Sequence, residues 1–151
     1  VYYFGVKLHA IAFRRKNKLP MPEYLLLTSA AESDLEAVRH LLPQLQNRAF
    51  FADKAYSDAT TNENLSKNCN AFIYTPVKLI KDESKTIRQF KKAADDLFST
   101  AVSRVRQPIE SLFNWLIEKT DIQNASKVRS TKGLLLHTYG AIAAALAFWL
   151  F

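Results

Sequence analysis

Glycine and cysteine are scarce in this chain, and each scarcity excludes a class of function. Three glycines among 151 residues cannot build the glycine-rich loop that cradles phosphates in nucleotide-binding enzymes. The single cysteine, Cys69, excludes an internal disulfide and suits a reducing compartment. The three histidines, His9, His40 and His137, lie on unrelated segments. They form no zinc-binding spacing with the cysteine, so we interpret each as a structural residue.

A secretory signal is also missing from the N-terminal sequence. The stretch "VYYFGVKLHAIAF" has neither a basic leader nor a small-residue cleavage site. It lacks an initiating methionine as well, so we expect the chain to be a fragment of a longer protein. A chain without a signal and with one cysteine is predicted to be cytoplasmic.

Positive charge is what the chain has in excess. It carries 21 Lys and Arg against 14 Asp and Glu, for a net charge of +7, and 48% of its residues are hydrophobic. That hydrophobic fraction supports a packed core, and the length fits one domain. The positive surplus favours a polyanionic partner, with nucleic acid first and an anionic membrane surface second. A basic surface with no partner is the alternative interpretation.

The last residues, 133–151, contain no charged side chain. Their length satisfies the criterion for a membrane-spanning helix, and Lys127, Arg129 and Lys132 precede them as positive flanks would. Polar residues and five alanines dilute the hydrophobicity of this segment. We therefore predict a buried core helix, with a small membrane-anchored protein as the alternative.

The hydrophobic pattern predicts a β-hairpin followed by alternating helices and strands. Residues 78–103 are densely charged with mixed sign, and we expect an exposed, mostly helical insertion there. Pro108 is expected in the first turn of the helix that follows. This order predicts an α/β domain over residues 1–151, with a mixed sheet flanked by helices. The predicted elements are strand 1–13, turn 14–22, strand 23–30, a helix capped by Ser33 and Glu36, buried strand 48–56, helix 57–68, strand 71–77, helix 107–120 and the apolar final helix.

Two carboxylates are the candidates for chemistry. Asp53 follows the apolar run of a predicted strand, and ligands bind at the carboxyl ends of strands in open α/β sheets. Glu110 lies beside the apolar stripe of its predicted helix, where a carboxylate needs a partner or a metal. Two carboxylates on different elements suit Mg²⁺. From the residues alone, a helix-capping Asp53 and an ion-paired Glu110 are the favoured interpretation.

Three stretches in order, "YYFGVKLHAIAF", "FFADKAY" and "RVRQPIESLFNWLIEKTDIQNASKVRST", resemble successive blocks of bacterial insertion-sequence DDE transposases. The first resembles the family's strand ending in Lys-Leu-His. The second resembles the segment with the second catalytic Asp, usually Asp-x-Gly-Tyr. The third resembles the helix with the catalytic Glu, preceded one turn earlier by Arg. The resemblance covers nearly the whole chain and implies a ribonuclease-H-like fold.

The resemblance implies roles for individual residues. Asp53 and Glu110 would be the second and third catalytic, metal-binding carboxylates, with Mg²⁺ or Mn²⁺ as cofactor, and Arg106 would contact a DNA phosphate. The partners would be the transposon ends, target DNA and a second copy in a homodimer, with no small-molecule substrate, in a bacterial cytoplasm. The cations that we expect to bind DNA are Lys54, Arg104, Arg106, Lys119, Lys127, Arg129 and Lys132.

The chain also departs from the family pattern. Ala55 replaces the expected Gly, Ser103 the expected Tyr, and Ile117 an expected Lys. The first catalytic Asp is absent, because "VYYFGVKLH" resembles the second strand of the sheet. We therefore predict a partial core that lacks its first strand and is inactive alone. A non-catalytic nucleic-acid-binding remnant is the alternative.

Overall fold

The chain is a mixed α/β protein, as predicted. The computed structural model describes residues 5–39, 41–78, 84–125 and 128–150. Within them, the elements are β1 (Val6–Arg15), β2 (Lys18–Ser29), α1 (Asp34–Arg39), β3 (Ala49–Phe51), α2 (Ala59–Cys69), β4 (Phe72–Tyr74), α3 (Lys85–Thr120) and α4 (Thr131–Leu150). Two compact units are formed, and we call them the hairpin unit (Val1–Ala31 and Pro108–Phe151) and the crossover unit (Glu32–Gln107).

β1 and β2 form the predicted antiparallel hairpin. Its turn is only two residues long, Lys16 and Asn17, so the predicted turn over 14–22 is too long. Asn17 has a φ of 55°, a left-handed conformation that tight hairpin turns require and that asparagine tolerates. Pro20 and Pro22 lie inside β2. Among the described strands, β2 pairs only with β1, so its other side is an edge. An edge strand tolerates prolines, because a backbone nitrogen that faces the edge donates no hydrogen bond to the sheet.

β3 and β4 pair in parallel, joined by α2 as the crossover. The prediction of a single mixed sheet is therefore wrong for the described residues, which form two separate two-stranded sheets. β3 is also not the buried strand that we predicted. Phe50 and Ile73 face the core cluster beneath α2, whereas Phe51, Phe72 and Tyr74 are 37–39% exposed on the opposite face.

The core of the crossover unit lies between its helices and the β3–β4 sheet. Its buried members are Val38, Leu42, Leu65, Cys69, Ala71 and Ile73. α1 begins as predicted, because the Ser33 hydroxyl accepts a hydrogen bond from the Glu36 N–H at 3.2 Å. The Glu36 carboxylate pairs with Arg39 at 2.7 Å. The helix ends at Arg39, and Pro43 lies within a 3₁₀ turn that follows.

α3 is one continuous helix of 36 residues. It includes the charged segment from Lys85 onward, which is helical and largely exposed as expected. Pro108 lies inside α3 rather than in the first turn of a new helix, so that prediction is wrong. Proline has no N–H to donate to the carbonyl one turn earlier, on Arg104, which locally weakens a helix. The boundary between the two units falls at this proline.

α4 is the predicted apolar helix, but it is not the buried core helix that we expected. Ser130 caps it by accepting the Gly133 N–H at 3.1 Å. Its buried residues are Thr138, Ile142 and Ala145, and these follow one narrow stripe. Most other positions are exposed. In the described part of the chain, α4 has the length and composition of a membrane-crossing helix, although a core helix of a soluble protein passes the same test.

Candidate active site and nucleic-acid contacts

Asp53 lies just beyond the end of β3, in the crossover unit. The Ala52 N–H donates to the Tyr74 carbonyl at 2.9 Å, so the β3–β4 pairing continues up to the residue before Asp53. One Asp53 carboxylate oxygen accepts the Lys54 N–H at 2.7 Å, and this caps a 3₁₀ turn over Lys54–Tyr56. Asp53 is exposed. The side chain therefore caps the turn with one oxygen, and its second oxygen can still bind a cation.

The substitution of Ala55 for the expected glycine carries no backbone strain. Ala55 lies within the 3₁₀ turn, and the described non-glycine residues with positive φ lie elsewhere in the chain. Only a positive φ would make alanine unfavourable at this position. This departure from the family pattern is therefore compatible with the local geometry.

Tyr56 closes the same 3₁₀ turn and packs against the core of the crossover unit. Burial raises the pKa of its hydroxyl to about 12, and the negative charges of Asp34 and Asp53 act in the same direction. The Asp53 carboxylate is therefore close enough to the Tyr56 hydroxyl to affect its pKa. Tyr56 holds the turn that carries Asp53 against the core.

We expect Tyr56 to make the fold sensitive to alkali. The folded pKa lies above the unfolded value of roughly 10, so the folded state holds the proton more tightly. The associated stability is present below about pH 10 and is lost as the pH rises towards 12. Urea unfolding between pH 9 and pH 11 measures this loss, and Tyr56→Phe should reduce it. An unchanged loss in Tyr56→Phe would contradict the assignment.

Glu110 lies on α3 in the hairpin unit and is exposed. Because Glu110 is exposed, burial does not by itself require a metal at this carboxylate, and the proposal that it binds one stays a prediction. Asp53 belongs to the crossover unit, so the two predicted carboxylates lie in different units. Arg106 lies one turn before Glu110 along α3 and is half-buried, and Arg104 is exposed.

The remaining predicted DNA contacts have different surroundings. Lys54 is exposed in the 3₁₀ turn after Asp53. The Lys119 ammonium lies over the Phe148 ring, 5.3 Å from its centroid. Arg129 is exposed just before α4, Lys132 is exposed in its first turn, and Lys127 lies outside the described residues. The two tryptophan rings of the hairpin unit pair with each other, with the Trp115 and Trp149 ring centroids 5.3 Å apart.

The oxygen chemistry of Asp53 fits Mg²⁺, which binds carboxylates and keeps several waters. The described residues do not supply a full set of ligands for such an ion. Within the described residues, no group of three or more His, Cys, Asp or Glu side chains could hold a metal ion. The structure therefore gives one carboxylate suited to a metal in the crossover unit and another, Glu110, in the hairpin unit.

Three further exposed cations lie at the hairpin turn, outside the set predicted to bind DNA. Arg14, Lys16 and Lys18 are exposed around the two-residue turn. The sequence contained a signal for them, the run "RRKNK" over residues 14–18. This run predicts a turn as well, and from the sequence we assign it only that role.

Compared with known proteins, the chain matches no family, no curated protein and no solved structure.

Proposed function

We propose that this chain is a C-terminal part of the catalytic core of a bacterial insertion-sequence DDE transposase. The complete enzyme would cleave the DNA strand at transposon ends and join the 3′-hydroxyl to target DNA. It would act in the cytoplasm as a homodimer. One observation carries this proposal: an exposed carboxylate, Asp53, is held at the carboxyl end of a parallel strand in a strand–helix–strand unit.

The position of Asp53 supports a catalytic role better than a capping role alone. A cap needs one oxygen, and Asp53 uses one for the Lys54 N–H. Ordinary caps occur at any helix start, whereas the carboxyl edge of parallel strands is the general ligand-binding edge of α/β sheets. The cap also fixes the side chain, and a fixed carboxylate can place a cation with less ordering cost than a mobile one.

The element order is compatible with a ribonuclease-H-like core without its first strand. An antiparallel hairpin precedes a parallel strand–helix–strand unit. Among the described strands, none joins the two sheets. This order of elements, from the second strand onward, supports the proposal.

The proposed roles follow from the side-chain chemistry. Asp53 and Glu110 would hold Mg²⁺ or Mn²⁺ together with the absent first Asp. Such ions, when bound, activate the attacking oxygen and stabilise the leaving oxygen in phosphoryl transfer. Arg106 and Arg104 would bind DNA phosphates, because a guanidinium pairs with two phosphate oxygens at once. Lys54 would add positive charge beside Asp53.

We expect this chain alone to be inactive on DNA. With one of three carboxylates missing, in-line displacement has no complete metal site. The measurement is nicking and strand transfer on transposon-end oligonucleotides with Mg²⁺ or Mn²⁺. The protein translated from the complete reading frame is the positive control. Activity of the 151-residue chain that disappears in Asp53→Ala would show that the site is complete without a further carboxylate.

The exposure of α4 favours a second candidate function. A helix with no charged residue between 133 and 150 and few buried positions has the properties of a membrane anchor by length and composition. We rank this below the transposase. Thr138, Ile142 and Ala145 are already buried within the hairpin unit, and packing of α4 against the rest of that unit would compete with insertion into a membrane.

A further inference from the structure

The hairpin tip, residues 14–18, concentrates positive charge at a defined turn. Four of its five residues are cations, namely Arg14, Arg15, Lys16 and Lys18, and the fifth is Asn17. The two-residue turn brings β1 and β2 together at Arg15 and Lys18, which are direct cross-strand partners. Like charges that face each other across strands destabilise a hairpin. The positive charges of the tip therefore repel one another, and this repulsion does not stabilise the hairpin.

Of these four cations, Arg15 makes side-chain contacts within the described residues, and the other three side chains make no hydrogen bond or ion pair there. The Arg15 Nε–H donates to the Leu19 carbonyl at 2.8 Å. Its guanidinium lies 5.0 Å from the centroid of the Trp149 ring. Arg15 thus anchors the base of the tip to α4. The side chains of Arg14, Lys16 and Lys18 form no hydrogen bond or ion pair with any residue in the described ranges, and all three residues are exposed.

We propose that the hairpin tip binds the backbone phosphates of duplex DNA through Arg14, Lys16 and Lys18. A partner with dense negative charge would convert the repulsion into attraction, because lysine and arginine release counterions from DNA when they neutralise phosphates. A two-stranded ribbon, with strands about 4.8 Å apart, fits the major groove, which is about 12 Å wide. The tip would sit at the groove and contact the phosphates of its walls.

The composition of the tip favours nucleic acid over a lipid surface. Stable binding to a membrane interface usually adds apolar side chains that enter the lipid to the attraction between cations and anionic headgroups, and none of residues 14–18 is apolar. The nearest exposed apolar pair, Phe13 and Met21, lies behind the tip in the strands. The contacts of the tip are with phosphates, so binding should depend on salt and only weakly on base sequence.

This inference rests on the proposed function, since DNA is the polyanion that the function supplies. The test compares two triple variants of the 151-residue chain by fluorescence anisotropy with a labelled duplex of about 30 base pairs. The tip variant is Arg14→Gln, Lys16→Gln and Lys18→Gln. The control is Lys67→Gln, Lys85→Gln and Lys92→Gln, which removes three exposed lysines from the crossover unit. Each variant lowers the net charge from +7 to +4, because 7 − 3 = 4.

We expect the tip variant to bind roughly tenfold or more weakly at moderate salt, with the slope of log K against log salt reduced by about 2.7. The control should lose much less. Circular dichroism should show that the tip variant is folded and no less stable, because repulsion at the turn is relieved. Equal losses in both variants would mean that net charge alone binds DNA and would overturn the proposal, as would unchanged binding by the tip variant.

Two further outcomes complete the test. If the wild-type chain binds anionic phosphatidylserine vesicles through the tip but binds no duplex, the partner is a lipid surface and the proposal is overturned. The proposed catalytic function can fail separately. In that case Asp53→Asn would leave DNA cleavage by the complete protein intact, while binding would still depend on the tip.

Discussion

Replacement of Asp53 by asparagine is expected to lower DNA-strand cleavage by the complete transposase roughly a hundredfold to a thousandfold, the scale on which preorganised active-site groups act. Asparagine keeps the size of the side chain, and its Oδ1 can still accept the Lys54 N–H that Asp53 accepts at 2.7 Å. Asparagine is also a good cap. The change removes a negative charge and a metal-binding oxygen while leaving the turn in place, so folding should be nearly unchanged.

Asp58 is a matched control for this experiment. It lies five residues further along and also caps a helix, accepting the Thr61 N–H at 2.9 Å at the start of α2. Its hydrogen bonds to Thr61 lower the pKa of this carboxyl, and Arg39 lies at 3.3 Å. Asp58→Asn should keep cleavage near the wild-type rate. The measurement is single-turnover cleavage of a labelled transposon-end oligonucleotide. Cleavage by Asp53→Asn at the Asp58→Asn rate would remove Asp53 from the active site.

Local signals in the sequence were sufficient to predict several elements. The alternating pattern of β1 and β2 predicted a hairpin, and Ser33 predicted the start of α1. The polar caps of α2 and the apolar run ending at Asp53 predicted a strand–helix–strand unit. Each of these signals acts over a few residues, through backbone hydrogen bonds that the sequence itself specifies.

Other features depend on contacts that the sequence does not contain. A proline can start a helix or interrupt one, and only the surrounding packing places Pro108 inside α3. An apolar helix can be buried or exposed, so the composition of α4 could not predict its exposed positions. The same holds for the site. Asp53 could be located at a strand end from its neighbours, but its membership of a different unit from Glu110 is a property of the fold.

A second large effect is expected in the core of the crossover unit. Leu65 on α2 is 3% exposed and packs with Val38, Leu42 and Ile73. Leu65→Ala would remove buried methyl groups and leave a cavity, which typically lowers the free energy of unfolding by about 2–5 kcal/mol. This is a large share of the stability of a chain of this size. Urea unfolding followed by circular dichroism measures the change.

Leu97→Ala provides the control, because Leu97 is also helical but 74% exposed. The two substitutions change helix propensity equally, so their difference reports burial, and Leu97→Ala should change stability by less than about 0.5 kcal/mol. Equal effects would mean that the α2 core does not support this unit. The outcome bears on function because Phe50, Ala52 and Tyr56 pack on the same cluster. They flank Asp53 along the chain, so the α2 core that Leu65 fills also holds the turn that fixes this carboxylate.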